Sequence, residues 1–145
     1  MVSPRDRSPR AAFKIWQTHS TRWADNDAYG HVNNVVYYEW FDSAVNGWLV
    51  GAGLLDIDRG DPIAVVVETR CSYAEPLAFP ADVEVGLSVE QIGRSSIRYR
   101  IGIFAAGQNE AAAEGHFVHV IVDRASRRPV PIPDDWRRAL DSISA

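Results

Sequence analysis

The chain has 145 residues, 46% of them apolar, with 19 acidic against 15 basic side chains and a net charge of −4. A chain of this length buries roughly 68–70% of its unfolded surface, enough for one core, and its acidic balance excludes nucleic acid as the main partner, because counterion-release binding needs a basic excess. The single cysteine, Cys71, excludes an internal disulfide, and no cysteine–histidine cluster offers a structural zinc site.

In chain order, residues 1–10 hold three arginines, two prolines and no apolar run. They read as a disordered segment ahead of one domain over residues 11–145. No secretory signal is visible and no apolar run approaches the roughly 20 residues of a spanning helix, so the expectation is a cytoplasmic protein without a membrane partner. Ala11 to Trp23 mixes apolar and β-branched residues and predicts a first strand. Asp25 to His31 is polar, contains Gly30 and predicts a loop. From Asn34 to Val50 the polar residues Glu39, Asp42, Ser43 and Asn46 recur at helical spacing among large apolar ones. So narrow a polar stripe predicts a helix wrapped by other structure, with Asn33 as its cap and Gly51 and Gly53 as its stop.

Four segments of strand character follow: Ala64 to Tyr73, Val83 to Ile92, Ile97 to Phe104 and Phe117 to Val122, with Gly93-Arg94-Ser95-Ser96 as a hairpin turn. Proline alternates from Pro129 to Pro133, which keeps that segment extended and out of any central strand. Asp134 and Asp135 are placed to cap a short amphipathic helix through Leu140. A strand, a long helix and four more strands make an α+β pattern, one helix packed into a curved antiparallel sheet.

The chemistry concentrates in Asp25-Asn26-Asp27-Ala28-Tyr29-Gly30-His31-Val32-Asn33-Asn34, immediately before the helix. A helix N-terminus offers unpaired N–H groups and a partial positive charge, which stabilise an oxyanion developing on a carbonyl. A carboxylate beside it can attack that carbonyl or deprotonate a water that does. These residues therefore point to acyl transfer or hydrolysis without metal or nucleotide.

The pattern Asp-x-Asp-x-x-Gly-His-Val-Asn-Asn-x-x-Tyr, followed by an aromatic-rich helix, resembles the hotdog-fold thioesterases, most closely the 4-hydroxybenzoyl-CoA-thioesterase-like branch. The resemblance continues through Glu68 to Tyr73, Pro76-Leu77 and Val118 to Asp123, and covers the chain from about Phe13 to Leu140. It implies a hotdog fold, a five-stranded antiparallel sheet wrapped around one long central helix. It also implies subunits paired edge to edge as a homodimer or homotetramer, with active sites at the interface. Carried over by position, Asp27 matches the catalytic aspartate, as nucleophile or general base. Asn34 falls where a backbone N–H polarises the thioester carbonyl. The motif is also similar to that of plant acyl-carrier-protein thioesterases; Tyr29 stands where that group carries an asparagine, which leaves His31 a secondary catalytic residue. Tyr29, Gly30 and Asn33 are expected to contact substrate. Asp25 reads as a structural loop group, and Glu39 as part of the polar helix stripe. His116 and His119 form no metal pair with the loop carboxylates, and no metal site is expected.

The implied activity is an acyl-CoA thioesterase without a cofactor, coenzyme A being part of the substrate. Its phosphates need guanidinium or backbone N–H donors, for which Arg94, Ser95 and Ser96 at the hairpin are the leading candidates and Arg98, Arg100, Arg127 and Arg128 the next. Two rivals remain at this level: an acyl-thioester hydratase or dehydratase using His31 with Asp27, and a non-catalytic acyl-CoA-binding protein.

Overall fold

Five segments form one antiparallel sheet in the computed structural model, which describes residues 7–145. These are β1 (Ile15–Ser20), β2 (Ile63–Tyr73), β3 (Asp82–Ile92), β4 (Ser96–Ala105) and β5 (Ala113–Val122), in the spatial order β1-β3-β4-β5-β2. The long helix α1 (Asn34–Gly51) lies across one face. It buries Tyr37, Trp40, Phe41, Ala44, Val45 and Leu49 against inward-facing side chains such as Leu87, Ile97 and Ile101, all 2% exposed or less on the strand side. A short second helix, α2 (Asp134–Ser142), adds Trp136 and Leu140 to the same core. This is the α+β hotdog arrangement that the sequence implies.

The expected first strand is shortened at both ends. A 3-10 turn at Arg10–Ala12 swings Phe13 onto the outer sheet face, over the directly paired Gly86 and Gly102. A Cβ at either glycine would lie within 2.8 Å of the Phe13 ring or its Cβ, so two missing side chains form its socket. At the other end, Trp23–Asp25 is a second 3-10 turn, closed by the Asp25 carboxylate on the Arg22 N–H at 2.7 Å.

Of the segment expected to be disordered, residues 1–6 lie outside the described residues, and residues 7–10 are held in place. Ser8 is buried and donates its N–H to Glu114, Arg7 pairs with Glu75 at 2.8 Å, and Arg10 with Glu84 at 2.9 Å. The strongly charged composition of the segment is thus matched by carboxylates on the sheet. The α2 cap is also corrected. Pro133 occupies the cap position, and Asp134 and Asp135 form the first turn, where carboxylates complement the helix dipole.

β2 is an edge strand with β5 on one side only, and a register shift between Val66 and Glu68 marks a bulge. Tyr73 pairs with Ala113 and Ile63 with Val122, which fixes the two ends of the sheet. The start of α1 sits at the Tyr73 end, and the β3–β4 hairpin at the other.

Candidate active site

The loop from Asp25 to Asn33 closes on itself before it launches α1. Asn26 and Val32 form a β-bridge, the Asp27 N–H donates to the His31 carbonyl at 2.7 Å, and the Gly30 N–H returns to the Asp27 carbonyl at 3.1 Å. The turn requires Gly30 at φ +80°, a conformation that costs other residues a Cβ clash. Three further bonds pin the loop. Val32 N–H donates to Leu77, Asn33 N–H to the Asp25 carbonyl, and Phe79 N–H to the Asn26 side chain at 3.1 Å.

This scaffold brings Asp27, His31 and Asn34 to one cleft of about 320 Å³, walled by Val32, Tyr37, Tyr73 and Pro76 with Glu75 on the rim. The Asp27 Oδ1 atom accepts the N–H groups of Tyr29 at 2.8 Å and His31 at 3.4 Å. Oδ2 has no donor among the described residues, so one oxygen anchors the carboxylate and the other is free to react. Asn33 caps α1, its Oδ1 accepting the Val35 N–H at 3.0 Å, while Val36 N–H returns to the Asn33 carbonyl. The first four N–H groups of a helix have no internal partner. The cap satisfies two of them here and leaves the Asn34 N–H without an acceptor among the described residues, at the cleft. A carbonyl oxygen docked there would meet a free donor and the positive end of the helix dipole.

The sequence assigns no role in the reaction to Tyr73 or Tyr37. They meet edge to face at 4.9 Å, and the Tyr73 hydroxyl donates to the Asn34 carbonyl at 3.0 Å. Burial pushes the Tyr37 phenol up to about 12; it raises that of Tyr73 too, with Cys71 and Tyr38 adding to the shift. Both remain donors at neutral pH. Strand alternation could have found Tyr73, since Cys71 and Tyr73 share the helix-facing side of β2.

The remaining expectations divide. Gly30 and Asn33 shape the site from within, whereas Tyr29 is 85% exposed at the loop tip. Asp25 is a structural group. Its buried carboxylate takes bonds from Arg22 at 2.7 Å and 3.0 Å. Glu39 lies in a separate cleft with Arg22 and His19, on the β1 side of α1. Arg94, Ser95 and Ser96 stand at the far end of the sheet, about 30 Å along β4 from the cleft of the same chain. Arg98 and Arg100 point to the outer face. There Arg98 pairs with Glu90 at 3.2 Å and donates to His116 Nδ1 at 3.0 Å, and Arg100 bonds Ser8. Cys71 is half-buried, its thiol pushed up to about 12 by burial. His119 is buried in the core and neutral, burial pushing it down to about 4. Among the described residues no group of three or more His, Cys, Asp or Glu is placed to hold a metal, and no helix is long and apolar enough to cross a membrane.

The family model described as the thioesterase-like superfamily matches residues 21–140. The crystal structure of the PA5185 protein of Pseudomonas aeruginosa is 50% identical, with a TM-score of 0.92 over 96% of this chain and 97% of that one. A second P. aeruginosa protein, PA2801, described as a candidate thioesterase, is 31% identical with a TM-score of 0.79 over 86% of this chain and 96% of its own. Slr0204 of Synechocystis, a 1,4-dihydroxy-2-naphthoyl-CoA thioesterase, shares the fold at 21% identity and a TM-score of 0.78, over 87% and 94% of the two chains.

Proposed function

From the premise that the chain belongs to the thioesterase-like superfamily, we propose that it hydrolyses an acyl-CoA thioester to the free acid and coenzyme A at the Asp27 cleft. The observation that carries this reading is the pairing, in one cleft, of a carboxylate held by one oxygen with a helix N–H that the cap leaves free. The thioester carbonyl oxygen sits on the Asn34 N–H. Asp27 Oδ2 then either attacks the carbonyl carbon, expelling coenzyme A thiolate and leaving a mixed anhydride that water cleaves, or takes a proton from a water that attacks directly. In both routes the negative charge gathers on the oxygen facing Asn34, where a preorganised donor stabilises the transition state more than the ground state. Gly30 and Asn33 hold the loop and cap, and Tyr29 and His31 supply the amides that orient Asp27.

The hydratase rival needs an imidazole–carboxylate dyad. Asp27 is engaged by the backbone N–H of His31, and no bond joins it to the His31 ring among the described residues. His31 is exposed and serves best as a substrate contact. The phosphate role of Arg94, Ser95 and Ser96 requires a second copy. Antiparallel pairing of two β2 edges would bring the hairpin of one subunit to the cleft end of the other, about 15 Å across the sheet, within the reach of a coenzyme A arm. A homodimer, located in the cytoplasm, therefore completes the reading.

Purified protein offered a panel of acyl-CoA thioesters in the presence of a thiol-reactive dye tests the proposal. Thiol release with turnover supports hydrolysis. Water addition to an enoyl-CoA without thiol release would replace it with the hydratase, and tight binding with neither reaction would make the protein a binding module.

A further inference from the structure

Two peptide units frame the Asn34 N–H, and all of their polar groups but that one are engaged. In the unit that joins Asn33 to Asn34, the carbonyl accepts the Val36 N–H at 3.0 Å, and the Asn34 N–H is left without an acceptor among the described residues. In the unit that joins Asn34 to Val35, the N–H donates to Asn33 Oδ1 at 3.0 Å and the carbonyl accepts the Tyr73 hydroxyl at 3.0 Å. Side chains therefore grip the second unit at both ends. Peptide units are rigid planes, and only the φ and ψ angles of Asn34 separate these two. Fixing the second unit fixes the direction in which the free N–H of the first one points.

The carbonyl does not need Tyr73 to be satisfied. A helical carbonyl accepts the N–H four residues on, so the hydroxyl supplies a second bond, and it comes from another element. Tyr73 is the last residue of β2 and lies opposite Ala113 of β5, so its backbone belongs to the sheet. Its ring packs edge to face on Tyr37 of the helix at 4.9 Å. Gln17 of β1 ties the middle of α1 to the sheet through the Ala44 carbonyl at 3.1 Å. Tyr73 ties down the start, where helices fray. The hydroxyl stays a donor at neutral pH, because burial holds its proton more tightly than in water.

We propose that Tyr73 is a positioning residue for the oxyanion site: its hydroxyl holds the Asn34–Val35 peptide against the sheet and so keeps the Asn34 N–H aimed into the Asp27 cleft. This rests on the thioesterase reading above and adds to it a residue that acts through the Asn34 N–H alone. Tyr73 also lines the cleft. The polar end of its side chain is spent on the helix, so the substrate meets the ring. Removing the hydroxyl leaves the ring, its contact with Tyr37 and the cleft wall in place, and loosens only the aim of the donor. The charge that gathers on the carbonyl oxygen in the transition state then meets a misplaced N–H, while the substrate in its ground state is held as before.

A double-mutant cycle on thiol release by the full chain tests this, with every rate taken below the melting transition of every variant. Tyr73→Phe is expected to lower kcat about tenfold with KM within about twofold of wild type. In the Asn34→Pro background, which deletes the N–H being aimed, the same change is expected to alter kcat by no more than about twofold. Wild-type kcat in Tyr73→Phe overturns the proposal. A loss carried by KM overturns it by placing the hydroxyl on the substrate, and an equal tenfold loss in both backgrounds by showing that Tyr73 acts elsewhere. Wild-type kcat in Asn34→Pro would instead overturn the oxyanion reading on which the proposal rests, and no thiol release from any acyl-CoA by the wild-type chain would overturn the thioesterase reading itself.

Discussion

Two clefts open on opposite faces of the sheet, and they differ in how much of their bonding capacity is already used. The outer cleft has the greater charge, lined by Arg70, Glu90, Arg98, Arg100, Glu114 and His116. Most of those groups are spent on one another or on the N-terminal segment: Arg98 with Glu90 and His116, Arg100 with Ser8, and Glu114 with the Ser8 N–H. The inner cleft holds the Asp27 carboxylate and the Asn34 N–H, and among the described residues Asp27 Oδ2 has no donor and the Asn34 N–H no acceptor. A site is marked by unspent valence in a fixed frame rather than by the number of charges it gathers.

The contrast can be broken at either cleft. Asp27→Asn is expected to lower thiol release on the order of 10³-fold, while calorimetry shows binding of a non-hydrolysable acyl-CoA analogue within a few-fold of wild type. Retained turnover would remove the inner cleft from the reaction. The two histidines of β5 sharpen the difference between a paired and an unpaired imidazole. His116 accepts a bond from Arg98, whereas His119 is buried, with no partner for its Nδ1 among the described residues and its basicity pushed down to about 4. Between that value and the unfolded value near 6.5 the unfolded chain binds the extra proton. Stability is therefore complete above pH 6.5 and falls by about 3 kcal/mol as the pH drops toward 4. His119→Leu should flatten this slope in chemical denaturation at several pH values; an unchanged slope would assign the acid lability elsewhere.

Smaller effects follow. Asn33→Ala removes the α1 cap and is expected to cost about 1 kcal/mol, measured by thermal melting, together with a fall in turnover as the helix start loosens. Arg98→Ala, in a half-exposed pair on the outer face, is expected to change stability by no more than about 0.5 kcal/mol and to leave kcat/KM within about twofold of wild type. A large loss of activity there would show that the outer cleft takes part in the reaction after all.

Much of this was legible in the sequence because it depends on local pattern. The α1 boundaries, its Asn33 cap and the hairpin at Gly93 follow from periodicity and turn chemistry, whereas the roles proposed for Asp27 and Asn34 come from the resemblance to the hotdog thioesterases. What was hidden depends on contacts far apart in the chain. The Gly86–Gly102 socket joins strands through register, and Phe13 fills it from the N-terminal side, which shortens β1 in a way no local propensity announces. The ordering of residues 7–10 rests on Glu75, Glu84, Glu110 and Glu114, distant carboxylates that composition cannot align. Arg94 shows the same limit from the other side: its turn was read correctly, but only the direction of the strands reveals that it lies at the far end of the sheet from Asp27.

The central claim is that the Asn34 backbone N–H, rather than its side chain, holds the oxyanion. Proline at the first position of a helix deletes that N–H while fitting the helix start, and Asn33 already has the extended backbone, ψ 137°, that a following proline requires. Thiol release by Asn34→Pro and Asn34→Ala, compared at equal melting temperature, is the direct measurement. The account predicts that the proline variant loses about 10²–10³ in kcat and the alanine variant stays within a few-fold of wild type. A proline variant as active as the alanine variant would contradict it.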